Sequence, residues 1–164
     1  MDKVTIREIW EEELPILEDL LYEAIYQPDK NNLIPRSILK EPRVNIYIEN
    51  FGKDKNDHCL VAEFDGEIIG GVWVRLLAGN VKGYGNIDDH TPEFSISIHE
   101  EFRNCGIGTR LMRDMIDYLK SSGYSQTSLS VHKGNYAMKL YRKLGFEIIQ
   151  ENEEDYLMVL NLNK

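Results

Sequence analysis

The residues best suited to chemistry on a phosphate-bearing molecule are Arg103-Asn104-Cys105-Gly106-Ile107-Gly108-Thr109. Before them, Phe94, Ile96 and Ile98 alternate with Ser95, Ser97 and His99, which predicts a strand over residues 93–99. After them, Leu111, Met112, Met115, Ile116 and Leu119 recur at helical spacing up to Ser121-Ser122-Gly123. A helix whose first turn lacks bulky side chains presents unpaired N–H groups at the positive end of its dipole, which is what a pyrophosphate needs. Gly106 and Gly108 permit the close approach, and Arg103 can add a charge-assisted contact. Two other phosphate-binding patterns fail on the residues present. A Walker loop needs Lys where this chain has Thr109, and a dinucleotide fingerprint needs a third glycine where it has Leu111. An ordinary tight turn between strand and helix is the alternative reading of the segment taken alone.

The elements that position this turn can be read outward from it. Residues 4–9 alternate and predict a first strand, and Leu14, Leu17, Leu20, Leu21, Ala24 and Ile25 predict an amphipathic helix over residues 12–26 with Pro15 in its first turn. Residues 27–35 read as a loop. Ser37 can cap a second helix that Pro42 shortens or breaks. Residues 59–64 and 68–77 predict a hairpin through Asp65-Gly66, the second strand apolar enough to be central in a sheet. Residues 77–92, with Gly79, Gly83, Gly85 and Asp88-Asp89, form a long aperiodic loop of the kind that carries function. Residues 127–132 predict a strand. Asn135 can cap a helix with the apolar face Ala137, Leu140, Tyr141 and Leu144, stopped by Gly145. Residues 146–149 and 156–162 complete a final hairpin. The sum is an α/β (α+β) chain, a mixed and mainly antiparallel sheet flanked by helices, forming a single domain over residues 1–164.

Arg103-Asn104-Cys105-Gly106-Ile107-Gly108 resembles the Gln/Arg-x-x-Gly-x-Gly/Ala signature of the GNAT superfamily of N-acetyltransferases. About thirty residues on, Asn135-Tyr136-Ala137-Met138-Lys139-Leu140-Tyr141-Arg142-Lys143-Leu144-Gly145-Phe146 resembles that superfamily's Asn-x-x-Ala-x-x-x-Tyr-x-x-x-Gly-Phe segment. The resemblance implies the GNAT acyl-CoA N-acyltransferase fold, with a splay between strands 93–99 and 127–132 that takes the pantetheine arm. It implies acetyl-CoA as donor and an amine acceptor attacking the thioester directly. Residues 103–109 would then hold the pyrophosphate, backbone groups of Ile96 and Ile98 the pantetheine amides, and Asn135 would both cap its helix and touch the cofactor. Tyr141 would protonate the leaving thiolate, since a neutral phenol with pKa ~10 can donate a proton. Its place on an apolar face equally suits a core residue. Glu93 is the first candidate for the base, with Asp88, Asp89 and His90 as alternatives, each also readable as a solvated turn residue. Tyr22, Tyr26 and Tyr47 could line the acceptor pocket or the core, while His99 and His132 read as ordinary strand residues and Cys105 as a neutral filler. The signature departs from many relatives in having His99-Glu100-Glu101-Phe102 where a proline is common, with both carboxylates expected in solvent.

A formal net charge of -9 argues against nonspecific binding to nucleic acid and is compatible with a cationic acceptor. Neither a signal peptide nor an apolar run of membrane-spanning length is present, which predicts a cytoplasmic protein without membrane contact. Cys59 and Cys105, without metal-ligand spacing, read as free thiols, and no metal is expected. The acceptor is expected to be a small-molecule or peptide amine. Dimers are common in the superfamily, so a homodimer is compatible with the resemblance. The rival function is a noncatalytic acyl-CoA-binding regulatory domain, against which Tyr141 argues. A third reading, partner binding through the acidic surface, predicts no affinity for CoA.

Overall fold

In the computed structural model, which describes residues 3–163, one seven-stranded sheet organises the chain in the order β1-β2-β3-β4-β5-β7-β6. β1 (Thr5–Glu8), β2 (His58–Phe64), β3 (Glu67–Arg75) and β4 (Glu93–Ile98) pair antiparallel with one another in succession. β5 (Gln126–His132), β7 (Asp155–Asn161) and the edge strand β6 (Glu147–Glu151) form the other half. The β2–β3 turn is the one expected: Asp65 and Gly66 both take positive φ, 54° and 79°, the geometry that matches the twist of a two-residue hairpin.

The two halves meet in a parallel contact between β4 and β5 whose registered pair is Glu93 with Ser128. On its other edge β4 is registered with β3 along its whole length, from Arg75–Glu93 to Gly70–Ile98. Past Glu93, then, β4 keeps one neighbour and leaves the other. This is the splay that the resemblance implied.

Side-chain alternation sends opposite sets of residues to the two faces. On one face, α3 (Ile107–Ser121) and α4 (Met138–Lys143) cover Val72, Val74, Phe94, Leu129, Val131 and Met158. On the other, α1 (Leu17–Ala24) and the segment through Leu39, Tyr47 and Phe51 cover Cys59, Val61, Trp73 and Leu77. Glu93, Ser95 and Ser97 alternate with Phe94, so they turn to this second face.

Two local expectations change and a third holds. The helix expected over residues 12–26 is a 3-10 segment (Glu11–Ile16) followed by the shorter α1, because Pro15 has no N–H to give the preceding turn. Ser37 does not cap: the next 3-10 turn (Arg36–Lys40) starts one residue earlier, behind Pro35. The break expected at Pro42 is present: the 3-10 turn ends at Lys40, Glu41 is extended, and Pro42 opens the short α2 (Pro42–Asn45) at its first position, where a missing N–H costs nothing.

Candidate active site

Gly106 precedes α3 with φ of 83°, a left-handed conformation that glycine adopts without strain, and a Cβ there would meet nothing within 4 Å. At Gly108 a Cβ would first meet Leu140 Cδ2 at 3.6 Å, ordinary contact, so the packing does not demand glycine here. What glycine provides at 108 is an uncovered helix start, where the N–H groups of Ile107, Gly108 and Thr109 have no intrahelical acceptor. Asn104 also takes a positive φ, 62°. The residues therefore form a cradle of backbone donors, and a pyrophosphate fits it. Arg103 and Cys105 are exposed beside it. Glu101 faces solvent as expected, and Glu100 forms an exposed ion pair with Lys30.

Ser128 N–H donates to Pro92 O at 3.1 Å and Arg103 Nε donates to Ile98 O at 3.0 Å, so even-numbered positions of β4 turn their backbone groups toward β5. The backbone of Ile96 and Ile98 consequently faces the opening, while their side chains pack toward α3. Ile98 O is already used by Arg103, which ties that side chain to the rim of the splay.

Glu93 stands where β4 and β5 still touch, and only 2 % of it is exposed. Burial pushes its carboxyl up to about 7 from an ordinary 4.5, against the opposing pull of the Tyr47 hydroxyl, the Gly85 N–H and the Arg43 charge. Tyr47 Oη donates to Oε2. Oε1 is buried and has no hydrogen-bond partner among the described residues. The loop over residues 77–92 closes against it: a Cβ on Gly83 would come within 2.2 Å of Oε1, and one on Gly85 within 3.0 Å of the carboxyl carbon. Those two glycines are what lets the loop lie on the carboxylate. The other candidates for the base are placed differently. Asp88, Asp89 and His90 are exposed, and the His90 N–H, donated to Asp88, holds that carboxyl below its usual range.

Tyr141 is 8 % exposed on α4, its ring tilted against Phe146, and burial pushes its phenol up to about 12. Its hydroxyl has no hydrogen-bond partner among the described residues, so the phenolic proton is not committed within the chain. Asn135 does not stand at the expected capping position: its Oδ1 accepts the Ala137 N–H at 2.9 Å in the turn leading into α4, whose N-cap is Ala137 with no side-chain cap bond, and its amide nitrogen has no partner among the described residues.

The remaining residues from the sequence are used locally. His99 Nδ1 lies 2.7 Å from Glu23, and His132 stacks on Tyr26 with ring centroids 4.7 Å apart. Tyr22 donates to Ile34 O. Tyr47 is buried. Sequence reasoning did not find its bond to Glu93, because forty-five residues and two turns separate them and only the fold brings them together. Hollows of about 430 and 500 Å³ flank Pro15 and touch neither Glu93 nor the glycine turn. Among the described residues no group of three or more His, Cys, Asp or Glu could hold a metal, and no helix is long and apolar enough to cross a membrane.

Comparison with known proteins agrees with this geometry. The family model described as "Acetyltransferase (GNAT) family" matches residues 7–146. An N-alpha-acetyltransferase of Sulfolobus acidocaldarius is 29% identical over 140 residues, 79% of this chain and 83% of that protein. One from Sulfurisphaera tokodaii is 32% identical over 113 residues, 62% of this chain and 68% of that protein. Among solved structures, a PaiA N-acetyltransferase from Thermoplasma acidophilum in complex with coenzyme A superposes with a TM-score of 0.71 at 19% identity, covering 96% and 98% of the two chains. That last likeness is one of fold.

Proposed function

The chain belongs to the GNAT family of acetyltransferases, and from that premise we propose that it acetylates α-amino groups, with Glu93 as base and Tyr141 as acid. It is an N-acetyltransferase. Acetyl-CoA supplies the acetyl group as a thioester, whose carbonyl carbon forms the new C–N bond as the C–S bond breaks.

The chain's own residues do the rest. The N–H groups of Ile107, Gly108 and Thr109 bind the pyrophosphate, and the Ile96 and Ile98 backbone lines the arm's path. Glu93 takes the proton that the amine nitrogen loses, directly or through a water, and Tyr141 gives its phenolic proton to the departing sulfur. A tyrosine whose pKa is pushed to about 12 stays a neutral donor throughout the working range.

The observation that carries this reading is the place of Glu93, a carboxylate with pKa near 7 at the apex of the splay. A base of that strength suits an α-amine with pKa ~8, about a tenth neutral at pH 7, better than a lysine at ~10.4. The names of the relatives support the same acceptor class. The single sheet running from residue 5 to residue 161 supports a one-domain catalyst, and we place it in the cytoplasm on the sequence reading.

The test is a calorimetric titration with acetyl-CoA of the native protein and of Gly108→Glu, followed by acetylation of peptides with a free or blocked N-terminus. A carboxylate over the helix start should weaken binding at least ~100-fold. Equal binding by the variant overturns the pyrophosphate site, and equal acetylation of lysine in blocked peptides overturns the α-amine assignment.

A further inference from the structure

Tyr47 carries no signature of its own in the sequence, yet three elements converge to fix it. Its hydroxyl donates to Glu93 Oε2 and accepts the Tyr84 N–H of the 77–92 loop at 2.8 Å. Its carbonyl accepts Trp73 Nε1 at 3.1 Å. The carbonyls of Ile46 and Glu49 on either side accept Arg75 Nη1 at 2.9 and 2.8 Å, and that guanidinium is itself held by Asp57 through two bonds of 3.1 Å. β3 thus clamps the backbone around Tyr47 from two residues on one face, and the phenol is aimed at the carboxylate.

We infer that Tyr47 is a positioning residue for acetyl transfer: its hydroxyl occupies Oε2 of Glu93, leaves Oε1 as the oxygen that takes the amine proton, and ties that carboxylate to the loop closing over it. The inference rests on Glu93 being the base. In the step itself the amine N–H bond breaks and an O–H bond forms at Oε1, while the Tyr47 proton stays on Tyr47. Burial, then the charge of Glu93, hold the Tyr47 phenol well above its usual range, so it does not compete as an acid.

The groups facing Glu93 limit what else could do this work. Tyr47 faces it from the turn after α2, Arg43 acts on it from α2, and the loop adds the Gly85 N–H. On β5 the Ser128 hydroxyl is committed to Gly85 O at 2.6 Å, and on β3 the Arg75 guanidinium is turned to Asp57. Tyr47 is the side chain that bonds the carboxylate directly.

The experiment is the pH profile of kcat/KM between pH 5 and 9 for the native protein, Tyr47→Phe, a protein carrying 3-fluorotyrosine at position 47, and Glu93→Gln, each with its acetyl-CoA affinity. Without the hydroxyl the ionised carboxylate loses a stabilising bond, so the acid limb of Tyr47→Phe should move up by about one pH unit. The fluorinated phenol donates more strongly in the same shape, so its limb should move down, and this isosteric protein carries the test even if Tyr47→Phe folds poorly. Acetyl-CoA affinity should be unchanged in both. A limb that stays in place in both variants, or a loss of the same factor at every pH, overturns the inference. Glu93→Gln separates the two readings: if it keeps native activity and the native acid limb, the base assignment has failed; if it loses both while the Tyr47 variants leave the limb unmoved, only the positioning role has failed.

Discussion

Replacing Glu93 by Gln should make the protein more stable at alkaline pH while removing its activity. Glu93 keeps its proton in the native protein up to about pH 7, whereas the unfolded chain releases it near 4.5. Across that window the native state binds more protons, so this group's contribution to stability falls as pH rises and reaches its full cost above about 7. The gap between 4.5 and about 7, at ~1.4 kcal/mol per pH unit, makes the cost about 3 kcal/mol. Glutamine has nearly the same shape and can still accept from Tyr47, but it has no charge to desolvate. Its own packing and hydrogen-bond effects are common to all pH values, so the informative quantity is a difference of differences. The stability gain of Glu93→Gln over native at pH 8, less the same gain at pH 4.5, should be about 3 kcal/mol, or roughly 6–12 °C in Tm for a chain of this size. Denaturant or thermal unfolding at the two pH values measures it, with acetyl transfer assayed alongside. A gain that is the same at both pH values refutes the reasoning, since Glu93 would then ionise as easily in the native state as in the unfolded chain. A stabilised, inactive variant would mark Glu93 as a residue kept for function at a cost in stability.

Two further substitutions probe the same site. Tyr141→Phe keeps the ring against Phe146 and loses only the donor; kcat should fall by about 100-fold with acetyl-CoA affinity unchanged, and unchanged turnover would return Tyr141 to the core. Gly83→Ala would place a methyl within 2.2 Å of Glu93 Oε1 and 2.9 Å of Leu77 Cδ1, so the loop or the carboxylate must move; steady-state kinetics should give a loss of kcat/KM of about 10-fold or more, and native kinetics would mean that the loop already stands off Glu93 during turnover.

The part of the site that is local in sequence was legible, and the part made by tertiary contact was not. The glycine turn and the hairpin at Asp65-Gly66 each depend on backbone conformations that a few neighbouring residues dictate, so their types and order were enough. The alternation of residues 93–99 gave β4 within a residue and sorted Glu93, Ser95 and Ser97 from the apolar positions. The amphipathic pattern of residues 12–26 hid the 3-10 start, because apolar spacing does not register the N–H that Pro15 lacks. Tyr47 was read among three tyrosines at helical spacing. Nothing near it in sequence distinguishes a phenol aimed at a buried carboxylate from one packed in the core; that required the clamp from Trp73 and Arg75, which lie on a strand beginning twenty residues later.

The position of Glu93 follows from the same strand that opens the cofactor path. β4 must keep β3 as a neighbour to stay in the sheet and must lose β5 to admit a ligand, and the residue where it changes from one state to the other is Glu93. A side chain at that point is buried by a sheet that is still closed, which is what raises its pKa, and it stands at the closed end of the gap that the thioester would enter. Strand alternation then turns it to the face covered by α1 and α2, opposite the α3 and α4 face where Tyr141 packs. The proposed base and acid thereby lie on opposite faces of the sheet. On the proposed mechanism, an amine approaching from the α1 and α2 side would lose its proton to Glu93 while the departing sulfur gains one from Tyr141, so neither residue would have to serve both needs.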